Sequence, residues 1–178
     1  MYNKIHNMTM PEKVETLTRA LVNISSINGT IGEVEVANFV KETLLGFPYF
    51  QQNPSQVWEQ PVPKDLLGRK NIFALVKGKS ETKDTIIYHS HLDTVGIEDY
   101  SNMKKDAMNP DALEDFFKMY AFDKDVQKDA QSGEWLFGRG SVDMQSGIAV
   151  HLANVLHFSE HPEELTGNIL LMVNPDEE

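Results

Sequence analysis

The apolar residues of the N-terminal part of the chain recur with the spacing of amphipathic α-helices. A first helix is predicted from Pro11 to about Ile24, and a second from Thr30, as its N-cap, to about Leu45. Glu33 lies three residues after Thr30, which predicts a capping box at the start of the second helix. The apolar faces of the two helices consist of Val14, Leu17, Leu21, Val22, Val36, Phe39, Val40 and Leu44.

Shorter apolar segments, bounded by turn-forming residues, predict β-strands along the rest of the chain. These strands are expected at Val57–Pro63, Asn71–Val76, Asp84–Asp93, Trp135–Gly140 and Asn168–Val173, of which the fourth is brief. A surface helix is predicted around 112–120, inside an acidic segment from about 97 to 132, and a further helix from 145 to about 158. Helices that alternate with strands predict an α/β sandwich around a mixed sheet.

Composition and charge narrow the classes of function. The chain has 178 residues, 40% of them hydrophobic, which is enough for one domain with a core. The net charge of −11 and the pI of about 4.9 argue against nucleic acid or an anionic membrane surface as the main partner. No segment approaches the roughly 18 apolar residues of a membrane span, so we expect a cytoplasmic protein. Because there is no cysteine, a bound metal would need His, Asp and Glu ligands, which suit zinc, manganese or cobalt.

The segment HSHLDTV, from His89 to Val95, places titratable groups at the end of a predicted strand. Side chains alternate along an extended chain, so His89, His91 and Asp93 are predicted to share one face. Three polar groups in this position are costly unless something pairs them. A metal ion is the simplest explanation, although this segment alone does not establish one.

Two further polar clusters follow predicted strands: GRGSVDMQSG, from Gly138 to Gly147, and the acidic residues 176–178. The glycine-rich segment lacks the Gly-Lys-Ser/Thr ending of a P-loop and the GxGxxG spacing, and Asp143 would repel a phosphate. Taken singly, this segment is compatible with a structural turn, and the acidic residues are compatible with a solvated loop. Taken together, H-x-D, G-x-G-x-x-D-M-x-x-G and D-E-E after an apolar strand indicate one site at a sheet edge.

This joint pattern resembles the dinuclear zinc metallopeptidase and deacylase family that contains aminoacylase, carboxypeptidase G, acetylornithine deacetylase and succinyl-diaminopimelate desuccinylase. The resemblance extends from the N-terminal helices to the last residue. HLDTVGIEDY and EWLFGRGSVDMQSGIA, on either side of the acidic insert, are most similar to the branch of arginine-utilisation proteins. The resemblance implies a three-layer α/β sandwich with a mixed central sheet, of the zinc-exopeptidase type.

The resemblance also implies a role for each of five residues. His91, Asp143 and Glu178 correspond to metal ligands, and Asp143 corresponds to the carboxylate that bridges two ions of zinc, or of cobalt or manganese in its place. Asp93 corresponds to the carboxylate that orients the His91 imidazole. Glu177 corresponds to the general base that removes a proton from the attacking water.

Three expectations concern residues near these positions. The family motif uses only the later histidine of the H-x-H pair, so His89 is not expected to be a ligand. Gln145 stands where the family commonly has lysine, which changes a local charge and not a ligand. A cis peptide often follows the bridging aspartate in this family, and we expect one at Asp143-Met144.

We expect residues 1–178 to be the N-terminal part of a catalytic domain, with a long acidic insert around 97–132. The family supplies a distal histidine, a further carboxylate ligand and a lid or dimerisation domain from later sequence, which has no counterpart here. The catalytic domain is therefore expected to be incomplete, and the chain by itself to be a poor enzyme.

Two functions are compatible with these patterns. The first is a metal-dependent hydrolase that cleaves an amide bond of an N-acyl amino acid or small peptide, in arginine or other amino-acid catabolism, with a homodimer formed through the lid domain. The alternative is a non-catalytic metal-binding or regulatory protein that retains the fold. Asp93 and Glu177 favour the hydrolase, because a mere metal binder would not need them.

Overall fold

The computed structural model describes residues 1–79 and 81–178 and contains a four-stranded mixed sheet. Its strands are β1 (Val57–Pro61), β2 (Lys70–Lys77), β3 (Thr85–His91) and β4 (Asn168–Asn174). They lie in the order β1-β2-β4-β3, in which β1–β2 and β2–β4 are antiparallel and β3–β4 is parallel. The register of the parallel pair places His91 opposite Asn174, so both strands end at the same edge of the sheet. This is the mixed α/β architecture that the sequence predicts.

The helices account for the amphipathic segments of the sequence and for several shorter ones. They are α1 (Tyr2–Ile5), α2 (Met10–Val22), α3 (Gly32–Leu45), α4 (Pro48–Gln52), α5 (Pro110–Lys118), α6 (Lys124–Ser132) and α7 (Ser146–Glu160). The four predicted helices correspond to α2, α3, α5 and α7, whereas α1, α4 and α6 were not predicted. Within the described residues, no helix combines the length and the apolar content that crossing a membrane requires.

The core lies between the sheet and three of the helices. α3 packs on β1 and β2, α7 packs on β2, β3 and β4, and α2 packs on α7. The strand side chains under these helices are buried, and they are Val57, Ile72, Ala74, Val76, Ile169, Leu171 and Val173. The alternate side chains, such as Phe73 and Met172, remain partly exposed on the other face of the sheet. Helices therefore cover one face of the sheet, and its buried strand side chains lie beneath them.

The short strand predicted at Trp135–Gly140 is wrong, because this segment is a loop. Its two glycines have positive φ angles, 146° at Gly138 and 77° at Gly140, which an extended strand does not allow. Between them, the Arg139 N–H donates to the Ala107 carbonyl oxygen at 2.7 Å, which ties the loop to the insert. Apolar residues alone could not reveal these two backbone turns.

The start of α3 also differs from the prediction. Ile31, not Thr30, precedes the first helical residue, and the Thr30 hydroxyl instead donates to the Ile27 carbonyl at 2.6 Å. The Glu33 carboxylate accepts the N–H of Gly29 at 3.1 Å and a hydrogen bond from Arg69 at 3.0 Å. Glu33 therefore serves tertiary contacts in place of the predicted capping box.

Candidate metal centre

The ends of β3 and β4 bring two polar segments of the chain side by side. Beyond the paired strands, the Leu92 N–H donates to the Asn174 carbonyl at 2.8 Å. The Thr94 N–H then donates to the Ser26 carbonyl at 2.9 Å, which anchors the segment to the loop before α3. Residues 91–94 and 174–178 are consequently neighbours in space. In the sequence, more than eighty positions separate the paired residues His91 and Asn174.

Asp93 is the buried anchor of this edge, with no exposed surface. Its carboxylate accepts the backbone N–H groups of Glu177 (3.0 Å) and Glu178 (2.8 Å) and the side-chain amide of Asn28 (2.8 Å). Burial by itself raises the pKa of Asp93, but the Asn28 amide and the two backbone donors outweigh it and hold that pKa below its ordinary value. Asp93 thus stays charged while it fixes the backbone that carries both glutamates.

His91 is almost fully buried, at 8% exposure, and both of its ring nitrogens face oxygen atoms. Nδ1 lies 3.1 Å from the Asp93 carbonyl oxygen and 3.5 Å from the Asp93 carboxylate. Nε2 lies 3.0 Å from Oδ1 of Asp143. Since a backbone carbonyl can only accept, we assign the Nδ1 proton to that contact, which leaves the Nε2 lone pair of a neutral imidazole directed at a carboxylate.

Two acceptors at this distance repel each other unless a proton or a cation lies between them. Burial by itself lowers the pKa of His91, but the hydrogen bond to Asp143 and the charges of Asp93, Asp143 and Glu177 raise it above its ordinary value. A metal-ligating histidine commonly donates its other N–H to a carbonyl or carboxylate, which is the arrangement of His91. The contact therefore fits a cation-binding nitrogen.

Three side chains converge beside this contact. One ligand atom each from His91, Glu177 and Glu178 lies within 4.8 Å of the other two. Ligand atoms around a zinc ion, each about 2.0–2.2 Å from it, are separated by roughly 4 Å at most, so small side-chain rotations would close the set. Asp143 and Glu178 line one cleft of about 390 Å³. The five residues predicted from the motifs are brought together at this edge, and nitrogen and carboxylate oxygen donors fit a divalent metal.

The turn that carries Asp143 is shaped by its backbone. The Asp143-Met144 peptide is cis, as the family resemblance implies. The backbone N–H of His91 donates to the sulfur atom of Met144, with a nitrogen–sulfur distance of 3.4 Å. At Gly140, where φ is 77°, a Cβ atom would lie 2.5 Å from Cγ2 of Thr94, so no larger residue fits without displacement. The turn and the end of β3 are therefore in direct contact.

Two nearby polar residues have structural partners. His89 is exposed, and its Nε2 pairs with the side-chain oxygen of Asn174. Gln145 is buried and donates to the Leu92 carbonyl at 2.9 Å and to the Ser26 hydroxyl at 3.1 Å. Gln145, which stands where the family commonly has lysine, thus connects the turn to the segment after β3 through hydrogen bonds of an uncharged side chain.

Sequence reasoning missed a pocket that the insert forms next to the cleft. It has a volume of about 580 Å³ and shares Gly138 and Ser141 with the lining of the cleft. Its aromatic lining consists of Tyr100, Phe116, Phe117, Tyr120 and Phe137. The density of aromatic residues in an otherwise acidic segment was the available signal.

Arg139 lines the cleft and contacts two residues that line this pocket. Its guanidinium pairs with Asp99 and lies over the Tyr100 ring, 5.1 Å from the centroid. The Asp99 carboxylate is the main cause of the raised pKa of Arg139, and the charge of Glu178 adds to it. The arginine therefore links the insert electrostatically to one of the metal-centre glutamates.

Residues 87–178 match the model of peptidase family M20/M25/M40, and the chain belongs to this family. The family predicted from the three polar clusters is thus confirmed.

Among individual proteins, the chain is 60% identical over 177 residues to Protein RocB of Bacillus subtilis (strain 168), covering 99% of this chain and 31% of that protein. It is 38% identical over 174 residues to the uncharacterized protein YqjN of the same organism, again covering 31% of the relative. The chain therefore spans about a third of the length of these two relatives.

A solved structure supports the fold. The M20 family metallo-carboxypeptidase Sso-CP2 from Sulfolobus solfataricus superposes with a TM-score of 0.56, at 20% identity, over 92% of this chain and 30% of that one. At this level of identity the likeness concerns the fold alone.

Proposed function

We propose that this chain forms part of a metal-dependent hydrolase that cleaves an amide bond of an N-acyl amino acid or small peptide. The observation that carries the proposal is the 3.0 Å contact between Nε2 of His91 and the carboxylate of Asp143, beside the carboxylates of Glu177 and Glu178. A buried histidine that shares its free nitrogen with several carboxylates is better explained by a bound cation than by packing.

We propose a separate role for each of the residues at this site. His91, Asp143 and Glu178 would hold the metal, and a bound divalent ion would lower the pKa of a water molecule and polarise the substrate carbonyl. Glu177 takes the proton of the attacking water and transfers it to the leaving nitrogen. Asp93 positions the Glu177 and Glu178 backbone through their N–H groups.

Zinc is the proposed metal, with cobalt or manganese as substitutes, because the donors are one imidazole and several carboxylates. The complete protein is proposed to hold two ions, with further ligands from outside this chain, so the chain itself is expected to bind one tightly and to hydrolyse little. The family resemblance supports a cytoplasmic role in arginine or other amino-acid catabolism and a homodimer. The pocket beside the cleft has room for an apolar group of the substrate.

Metal titration tests the centre directly. Metal-free chain titrated with zinc chloride by calorimetry should show about one tight site, and His91→Ala should weaken binding by at least about 100-fold because it removes the nitrogen ligand. His89→Ala is the matched control, since it removes a histidine from the same strand face that pairs with Asn174 instead. Zinc affinity that is unchanged in His91→Ala would refute the proposed centre.

The catalytic role needs the complete protein. There, Glu177→Gln should lower turnover of N-acetyl amino acids or dipeptides by roughly 10²–10⁴-fold while metal content stays unchanged, because the base is lost and the ligands remain. A metal-loaded protein that hydrolyses no member of such a panel would favour the non-catalytic alternative.

A further inference from the structure

We propose that Glu33 and Arg69 are positioning residues of the metal centre, which hold the backbone that presents Glu177 and Glu178. The inference rests on the function proposed above and extends it to two residues that lie outside the three motifs. Glu33 is in the first turn of α3, and Arg69 directly precedes β2.

Arg69 is the centre of a largely buried ion-pair network. Its side chain is 12% exposed, and its guanidinium contacts three carboxylates. These belong to Glu33 (3.0 Å), Asp65 (2.8 Å) and Asp176 (3.0 Å). The planar guanidinium can bind several carboxylates at once, which a lysine ammonium on a flexible stem does with less geometric control.

Glu33 extends this network to the backbone near the metal centre. Its carboxylate has no exposed surface, and Oε1 accepts the Asp176 N–H at 3.0 Å. The other oxygen accepts the Gly29 N–H at 3.1 Å, so each oxygen has a backbone donor in addition to Arg69. Burial raises the pKa of Glu33, and the hydrogen bonds and charge of Arg69, together with the Asp176 N–H, oppose that effect.

The three consecutive backbone N–H groups of residues 176–178 consequently donate to two buried carboxylates. The N–H of Asp176 donates to Glu33, and those of Glu177 and Glu178 donate to Asp93. Asp176 has a φ of 70°, in the left-handed region, so the chain turns at the residue that Glu33 and Arg69 both contact. The directions of the next two side chains follow from this held backbone.

An ordinary structural ion pair elsewhere in the fold provides the comparison. Glu59 on β1 accepts Lys41 at 2.8 Å and Lys70 at 2.6 Å, so it too has two ionic contacts. The ionic partners of Glu59 are side chains of α3 and β2. Glu33, in contrast, also accepts a backbone N–H from residues 176–178. Its substitution should therefore affect stability without a specific effect on the metal centre.

The test compares Glu33→Gln, Arg69→Lys and the control Glu59→Gln in the 178-residue chain. Zinc affinity is measured by calorimetry, and hydrogen exchange is measured at the amides of residues 176–178, on variants whose circular dichroism shows that they are folded. Loss of residues that orient metal ligands typically costs about 10–100-fold in metal affinity. We expect a loss of that size in Glu33→Gln and Arg69→Lys, together with faster exchange at those amides, and a change of less than about twofold in Glu59→Gln.

The outcomes separate this inference from the proposed function. Folded Arg69→Lys or Glu33→Gln with wild-type zinc affinity would overturn the positioning role while the His91-dependent site stands. An equal loss of affinity in Glu59→Gln would also overturn it, because the effect would then be general destabilisation. If Glu33→Gln does not fold, Arg69→Lys decides alone, since it retains the positive charge and all three carboxylates. Zinc binding that does not depend on His91 would instead remove the proposed centre.

Discussion

The candidate metal centre and the insert lie next to each other, and each is stabilised by a different kind of contact. The centre is organised by directional hydrogen bonds to buried carboxylates, of which the three that Asp93 accepts are the clearest. The insert is organised by contacts between aromatic rings, with ring centroids about 5 to 6 Å apart, and by ion pairs at the surface. Phe122, at 92% exposure, shows how open its outer part is.

This difference suggests that the two regions have different roles. Hydrogen bonds inside a protein fix distance and angle, because leaving a buried donor or acceptor unpaired is costly. Aromatic rings can pair in more than one arrangement, and the insert contains both edge-to-face and tilted pairs. The region proposed to hold a cation has the first kind of contact, and the region proposed to receive part of the substrate has the second.

The largest expected effect is the loss of the buried anchor. In Asp93→Ala three part-buried donors lose their buried acceptor, so the free energy of unfolding should fall by about 3 kcal/mol. Urea denaturation followed by circular dichroism measures it. Asp99→Ala, which removes an exposed carboxylate of the insert, is the matched control and should be close to wild type. Similar destabilisation in both variants would contradict the contrast between the two regions.

A smaller effect is expected when the insert is weakened from inside. Leu113 of α5 is buried, and Leu113→Ala should reduce the free energy of unfolding by about 2 kcal/mol, the low end for such changes, because an open region can relax around the cavity. Zinc affinity of the same variant, measured by calorimetry, should not change. A clear loss of affinity would mean that the insert and the metal centre are mechanically coupled.

The smallest effect concerns the support beneath the centre. His151 of α7 stacks on Tyr88, and its Nδ1 is hydrogen-bonded to the Ser90 hydroxyl at 2.8 Å; burial, with the nearby His89, lowers the pKa of His151. The unfolded chain therefore binds this proton more readily than the folded one. Its contribution to stability is present above the ordinary histidine pKa of about 6.5 and is lost as the pH falls below that value.

His151→Phe keeps an aromatic ring on Tyr88 and removes the titrating group. Urea denaturation at pH 7.5 and at pH 5.5 should show that the variant loses less stability on acidification than the wild type does. An identical pH dependence in the two proteins would show that His151 does not contribute to it.

Local patterns in the sequence were sufficient for most of the secondary structure. Apolar periodicity predicted α2, α3 and α7 and three of the long strands to within a few residues, because these segments bury one face or both. It missed α6, a polar helix whose start depends on Asp123 accepting the N–H groups of Asp125 and Val126. It also predicted a strand at 135–140, where two glycine turns prevent one.

The sequence by itself determined which residues are candidates for the chemistry, since His91, Asp93, Asp143 and the glutamates stand in motifs whose spacing predicts a cation site. Only the tertiary structure decided what holds them in place. Asn28 reaches Asp93 across 65 positions, and Arg69 reaches Asp176 across 107. No local pattern encodes such contacts, because they form only when the packed sheet and helices bring distant segments together and exclude the water that would otherwise compete for each hydrogen bond.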